Sequence, residues 1–180
     1  MRIKLTNGFT LIELLIVVAI IGILAAVGAA VIPRLLENTK VKACISNHDR
    51  ISKFVSVSLL GCSGLGYVNL NLVNTDGKLD LVSCNNTNDT LAREFMGHFE
   101  GKKFMSPFQT NRAQVKSGDN PQTGFSAIFG KSPQTGSSTK TITVSSCCDN
   151  KFDEDDPKMA NSCQKDGTLL MQTYDCDFCK

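Results

Sequence analysis

One acidic side chain stands at the edge of an apolar segment, where a lone charge is unfavourable. Glu13 directly precedes Leu14 to Ile32, nineteen consecutive positions without a charge, nearly all Leu, Ile, Val, Ala or Gly. This length is close to the roughly 20 residues that a helix needs to cross a bilayer. An ionised acid near hydrocarbon costs roughly 2 to 4 kcal/mol on insertion scales. Glu13 should therefore find a cationic partner, and ion pairing is the chemistry that it favours.

Eight cysteines form the second group of reactive residues, and all of them follow the apolar segment. The even count suggests disulfides formed in an oxidising compartment outside the cytoplasm. Cys62 and Cys84 flank a predicted hairpin and are the first pair that we expect. Cys147 and Cys148 should point to opposite sides of a strand, so we expect them to take different partners among Cys44, Cys163, Cys176 and Cys179.

Redox, metal and catalytic sites are weaker interpretations of the same residues. Cys176 and Cys179 match a redox CxxC motif, but the βαβ context of such motifs is missing. A zinc site is disfavoured outside a reducing cytosol. The only histidines, His48 and His98, assemble no metal-binding or catalytic set. Because no nucleophile, base and orienting group combine, the sequence predicts a protein that is not an enzyme.

Calcium is the one cofactor that the sequence suggests. Hard oxygen ligands concentrate near the C-terminus, at Asp149, Asp153, Glu154, Asp155 and Asp156. Calcium favours this composition, but the spacing lacks the glycine of an EF-hand loop, and acidic loops are usually only solvated. We otherwise expect no cofactor.

A basic surface for DNA is the other charge-based hypothesis. Its residues would be Arg93, Lys102, Lys103, Arg112 and Lys116. No aromatic residues interleave with them in a recognisable module, so we expect no specific nucleic-acid partner.

A long helix must position Glu13 and the apolar segment. Beyond Pro33, apolar or packed residues recur three or four positions apart on one helical face, at Val41, Ile45, His48, Ile51, Val55 and Leu59. The pattern predicts one helix from Phe9 to about Leu60, stopped by Gly61. Its apolar first half suits lipid, and its amphipathic second half suits packing on the folded remainder of the chain.

Three residues weaken the first half of this helix. Glycine carries a propensity penalty of about 1 kcal/mol, and proline removes one backbone hydrogen bond. We therefore expect a kink or local melting at Gly22, Gly28 and Pro33. A straight helix with tolerated glycines is the alternative.

The rest of the chain predicts an antiparallel sheet and one short helix. Residues 67–73 and 78–83 form a hairpin around Asn74-Thr75-Asp76-Gly77. Asn88 or Asp89 caps a helix that ends at Gly101. Further strands are expected at 125–129, 139–145 and 168–174. The fold class is therefore α+β, a long N-terminal α-helix packed on an antiparallel β-sheet head.

The residues from Gly8 to Ala26, GFTLIELLIVVAIIGILAA, resemble the signature of type IV pilins and type II secretion pseudopilins. The resemblance implies that a prepilin peptidase cuts after Gly8, that Phe9 becomes the N-methylated mature terminus, and that subunits polymerise into a helical filament. It divides the chain into a leader (1–8), a transmembrane or filament-core helix (9–33), an amphipathic stem (34–60) and a disulfide-rich head (61–180).

Physical arguments agree with this resemblance. Arg2 and Lys4 hold the leader on the cytoplasmic side, and Gly8 removes side-chain bulk at the cleaved bond. Cleavage would create an amine at Phe9, which could pair with Glu13 of its own chain at the i, i+4 spacing or with Glu13 of a neighbour. A plain signal anchor explains neither Gly8 nor the joint presence of Phe9 and Glu13.

The sequence therefore predicts a structural subunit, the major pilin of a type IV pilus. The subunit would wait in the inner membrane as a single-pass prepilin and become part of an extracellular filament after assembly. Its partners would be prepilin peptidase, the assembly machinery and further copies of itself. The alternatives are a type II secretion pseudopilin, or a minor, adhesive or DNA-uptake pilin.

Overall fold

The structure is a computed structural model that describes residues 9–109, 112–116, 121–122, 124–131, 140–148, 163, 169–176 and 178–179. The chain divides into two compact units, one up to Asn38 and one from Thr39 onward. The elements in chain order are α1 (Leu11–Ser63), β1 (Asn69–Val73), β2 (Leu79–Ser83), α2 (Asn88–Gly101), β3 (Val115–Lys116), β4 (Ser126–Lys131), β5 (Thr141–Cys147) and β6 (Leu169–Asp175). The expected α+β class is confirmed.

In the first unit, α1 leaves its apolar side chains exposed; Leu14 is 57% exposed and Ile20 is 53% exposed. Among the described residues, α1 is the one helix long and apolar enough to cross a membrane, by length and composition alone. Gly22, Gly28 and Pro33, where a kink or local melting is expected, all lie within the helix. Proline removes only one backbone bond, and the turns on either side keep theirs. Weakening of the helix at these residues stays a prediction.

In the second unit, α1 buries one face, made of Cys44, His48, Ile51, Ser52, Val55, Leu59 and Gly61. The prediction was wrong at Ile45, which is 40% exposed, whereas Cys44 is fully buried. It was also wrong at Gly61, because the helix continues to Ser63. A Cβ on Gly61 would lie 2.5 Å from a ring carbon of Tyr67, so this glycine permits close packing and does not stop the helix.

The predicted hairpin is confirmed as the antiparallel pair β1–β2, with Asn71 opposite Leu81. Asn74 closes the turn, since its N–H donates to the Lys78 carbonyl at 2.8 Å and its carbonyl accepts from Gly77 at 2.9 Å. Gly77 has φ 80°, in the left-handed region that glycine enters without strain.

The four remaining strands form a separate sheet in the order β3-β4-β5-β6. The expected strands at 125–129, 139–145 and 168–174 correspond to β4, β5 and β6, which pair antiparallel. The sequence pattern missed β3, which has only two residues and runs parallel to β4. So short a strand leaves no alternation of apolar and polar residues to detect.

The short helix α2 begins one residue earlier than predicted. Its N-cap is Thr87, whose side chain accepts from the Thr90 N–H at 3.2 Å. Asn88 does not cap the helix because its amide donates instead to the carbonyls of Lys131 at 2.8 Å and Thr141 at 3.3 Å. This side chain thus ties the start of α2 to both strands of the β4–β5 pair.

The hydrophobic core of the second unit lies between α1, α2 and the sheet. It gathers residues from all three layers, including Ile51, Val55, Leu91, Phe95, Ile128, Ile142 and Val144. Phe54 of α1 packs edge-on against Phe95 of α2, with ring centroids 6.1 Å apart. This core fixes α1 and α2 against the strands.

A buried polar network also joins α1 to the sheet. The His48 ring lies 2.8 Å from the Ser146 hydroxyl through Nδ1, and Ser146 lies 2.6 Å from the Ser126 hydroxyl. The Tyr174 hydroxyl donates to the Ser52 carbonyl of α1 at 2.8 Å. Satisfied buried networks of this kind help to specify one packing arrangement.

Four disulfides connect all eight cysteines: Cys44–Cys148, Cys62–Cys84, Cys147–Cys163 and Cys176–Cys179. Cys62 pairs with Cys84, which was the first pair expected, and the adjacent Cys147 and Cys148 take different partners. The cross-links tie α1 to the end of β5 and to the end of β2. Cys176 and Cys179 are both buried and bonded to each other.

Gly101 is predicted to tolerate no side chain. A Cβ there would overlap the Asn74 carbonyl, so Gly101→Ala should destabilise the protein by about 1–3 kcal/mol through overpacking. Gly97→Ala in the same helix is the matched control, because its Cβ would make an ordinary contact with Thr75 at 3.8 Å. Chemical denaturation of the full chain in detergent should separate the two variants. Equal stability of both would contradict the close approach of α2 to the hairpin turn.

The disulfides should differ in their contribution to stability according to the loop that each closes. Cys44–Cys148 spans 104 residues, so replacing both cysteines by serine should cost about 4–5 kcal/mol. Cys176–Cys179 spans 3 residues, and the same change there should cost about 1–2 kcal/mol. Denaturation midpoints of the two double variants test this order, and a reversed order would refute it.

Acidification should destabilise the second unit through its histidines. Burial, helped by the charge of Lys102, lowers the pKa of His98, whose Nδ1 accepts the Val73 N–H at 2.9 Å. Burial also lowers the pKa of His48, with a smaller opposing effect of Asp49. The unfolded chain therefore takes up protons first, and stability should fall as the pH drops below about 6.5.

The variant His98→Asn tests this pH dependence, since its side-chain oxygen can accept the same N–H without titrating. Denaturation midpoints measured between about pH 7.5 and 5 should fall less steeply for the variant than for the parent chain. Identical slopes would show that His98 does not contribute.

Candidate functional site

The start of α1 is closed by a reciprocal pair of side chains, Thr10 and Glu13. The Glu13 N–H donates to the Thr10 hydroxyl at 3.3 Å. In return, Glu13 Oε2 accepts from the Thr10 N–H at 2.8 Å and from the Thr10 hydroxyl at 2.7 Å. This arrangement is a capping box, which satisfies backbone donors that the first turn of a helix leaves without partners.

The sequence analysis assigned Glu13 but missed Thr10. The signal was present, because a threonine followed three residues later by glutamate, ahead of an apolar run, is typical of a capping box. The sequence predicts a pairing between Glu13 and an amine at Phe9. The structure places the Glu13 carboxylate against Thr10, within hydrogen-bond reach of the residue that follows Phe9.

Both capping bonds fall on one carboxylate oxygen, Oε2. In the described part of the chain, no hydrogen bond reaches the other oxygen, Oε1. Glu13 is exposed, and its negative charge at the N-terminal end of α1 complements the helix dipole, an effect of roughly 0.3–1 kcal/mol. The cap therefore orients the carboxylate and leaves one of its oxygens open to a cation.

The apolar surface that follows Glu13 is large and unburied within the first unit. Phe9 is 82% exposed, Leu11 is 89% exposed and the side chains up to Leu36 continue this surface. Water-soluble monomers rarely expose contiguous apolar surfaces of this extent. Lipid or neighbouring protein must cover it.

Other predicted sites lie partly outside the described residues. Gly8, at the expected cleavage bond, is outside them, and so are the calcium candidates Asp149, Asp153, Asp155 and Asp156. The cysteines lie in the four disulfides, with Cys176 and Cys179 joined as cystine. Within the described ranges, no three His, Cys, Asp or Glu side chains gather as metal ligands would.

His48 lies between two serines, which superficially suits a catalytic arrangement. Its Nδ1 is 2.8 Å from the Ser146 hydroxyl, and its Nε2 is 3.4 Å from the Ser52 hydroxyl. Ser146 is fully buried, so no substrate could reach its oxygen, and a serine stands where a catalytic triad has a carboxylate. The arrangement packs α1 against β5.

Comparison with known proteins identifies the N-terminal segment. A family model described as the prokaryotic N-terminal methylation motif matches residues 3–29. No curated protein and no solved structure matches the chain. The match covers the apolar part of α1 and its capping box, but not the head. Residues 3–29 therefore carry the signal that marks type IV prepilins and pseudopilins for prepilin peptidase.

Proposed function

We propose that the chain is the repeating subunit of a type IV pilus. Prepilin peptidase cuts between Gly8 and Phe9, the new terminus is N-methylated, and the mature chains polymerise into a surface filament. The observation that carries this proposal is the methylation motif over residues 3–29, which coincides with an exposed apolar helix headed by Glu13. An apolar helix of this kind can exchange a lipid environment for a bundle of identical helices without exposing itself to water.

Ion pairing between subunits would set the axial register of the filament. Cleavage gives Phe9 a cationic amine, and the Glu13 carboxylate of an adjacent copy neutralises it in the apolar environment. The cap supports this step because Thr10 occupies only Oε2, so an incoming ammonium can approach Oε1. Two charges that would each be unfavourable near hydrocarbon are thereby buried as a pair.

The two ends of the chain would occupy different compartments before assembly. Arg2 and Lys4 keep the leader in the cytoplasm, and the segment after the apolar helix crosses to the other side of the inner membrane. Four disulfides in the second unit suit the oxidising side. The mature filament would then extend outside the cell.

A type II secretion pseudopilin is the alternative, since the motif is common to both classes. A minor, adhesive or DNA-uptake pilin is a further one. A minor or adhesive pilin predicts a protein of low copy number with ligand affinity in the head, whereas the major subunit is the bulk of the purified surface filament. Four disulfides favour the extracellular position, because a filament subunit meets proteases and shear that covalent links help to resist.

The charge of Glu13 should be required for assembly and dispensable for processing. Both Glu13→Ala and Glu13→Gln should be cut after Gly8 and should yield few or no surface filaments. The glutamine variant is the sharper test, because glutamine can keep the capping box while removing the charge. Immunoblots of whole cells report processing, and sheared surface fractions report filaments.

Thr10→Ala is the matched control, since it removes the capping hydroxyl and keeps the carboxylate. Loss of such a cap costs about 0.5–2 kcal/mol of helix stability. Filament yield should therefore fall much less than in the glutamine variant. Wild-type piliation by Glu13→Gln, or an equal loss in both variants, would contradict a role for the charge.

A further inference from the structure

A groove beside α2, in the surface of the second unit, combines charged and apolar residues. Its volume is about 580 Å³, within the range of small-ligand sites, roughly 300–1,000 Å³. The residues that line it come from the hairpin turn, from α2 and from the segment leading into β3, and include Thr75, Arg93, Met96, Glu100, Arg112 and Val115.

Two arginines give the groove its positive charge. Arg93 donates through Nε to the Asp89 carbonyl at 3.4 Å, and Arg112 donates through Nη1 to the Gln109 side-chain oxygen at 3.0 Å. Both acceptors are neutral. Across the described ranges, neither guanidinium has a carboxylate within ion-pair distance. The Arg112 guanidinium also lies 5.5 Å from the centroid of the Phe125 ring, a cation–π contact that leaves its N–H groups able to donate. Both arginines therefore keep N–H donors for an anion.

The other lining residues restrict which anion fits. Met96 is partly buried and Val115 is 4% exposed, so together they offer an apolar floor. Thr75 adds a hydroxyl, and Glu100 adds a carboxylate that can accept hydrogen bonds from hydroxyl groups. Among the described residues, none that lines the groove is aromatic, and Glu100 would repel successive phosphates of a nucleic acid.

We propose that this groove binds an acidic sugar unit of a polysaccharide. The carboxylate of the sugar lies between Arg93 and Arg112, which recognise it through charge-assisted hydrogen bonds. The C–H face of the ring packs on Met96 and Val115, and its hydroxyls donate to Glu100 and exchange hydrogen bonds with Thr75. A uronic acid offers this combination of charge, apolar face and hydroxyls in one small unit. The site is independent of the proposed filament.

The probe that tests the proposal is a fluorescently labelled oligomer of galacturonic acid. Its fully methyl-esterified form is the matched ligand, with the same rings and no charge. Fluorescence anisotropy with the full mature chain in neutral detergent should show saturable binding of the acid and at least tenfold weaker binding of the ester. Arg93→Gln and Arg112→Gln should each weaken binding of the acid at least tenfold.

Lys102→Gln is the control for general electrostatic attraction. It removes the same charge just after α2, from a residue that does not line the groove. It should leave affinity within about twofold, and Arg112→Lys should lose less affinity than Arg112→Gln, because lysine keeps the charge without the planar fork. The denaturation midpoints of the arginine variants should equal that of the parent chain, which shows that any loss of binding is not caused by unfolding.

Four results would overturn the proposal. These are no saturable binding of the acid oligomer, equal binding of acid and ester, equal losses in Lys102→Gln and the arginine variants, or displacement of the sugar by single-stranded DNA at comparable concentration. The last result would assign the groove to nucleic acid. None of the four bears on whether the chain assembles into filaments, so this proposal and the proposed function fail separately.

Discussion

A carboxylate at the head of an unburied apolar helix is the constraint on which the first unit depends. Glu13 cannot enter hydrocarbon alone without a cost of a few kcal/mol, and the helix behind it cannot stay in water. The capping box lowers the cost of burying the Glu13 charge only in part, because Thr10 provides neutral donors to one carboxylate oxygen. In the proposed filament, the amine of a neighbouring copy would complete the pairing and so link the chemistry of the terminus to assembly.

The second unit has a hydrophobic core and covalent cross-links of its own. Its core joins α1, α2 and the sheet, a polar network through His48 and Ser146 ties α1 to β5, and four disulfides fasten the ends of these elements. Backbone approaches such as that of Gly101 to Asn74 leave no room for a side chain. In the proposed filament, the second unit would face the environment and the exposed helix would pack with identical copies.

Strong periodic patterns in the sequence predicted the helices and most strands. Contacts between residues distant in sequence decided where the helices begin and end. The hairpin followed from alternating residues around Asn74 to Gly77, and β4 to β6 lie within two residues of their expected starts. The cap of α2 differed because Asn88 bonds two strand carbonyls that only tertiary structure brings near. Gly61 was predicted to end α1 because glycine often follows the last turn of a helix. Its packing against the ring of Tyr67 could not be predicted from the local sequence. Of the N-terminal site, Thr10 was readable from its spacing to Glu13 and was overlooked.

The central claim is that removal of a short basic leader exposes an ammonium that lets copies of the chain assemble. The most direct measurement is intact-mass and peptide mass spectrometry of filaments sheared from the cell surface. The account predicts that the chain is their bulk component, begins at Phe9, carries one added methyl group and has all its cysteines oxidised. A chain that keeps its first eight residues in cells and is absent from every filament would contradict it.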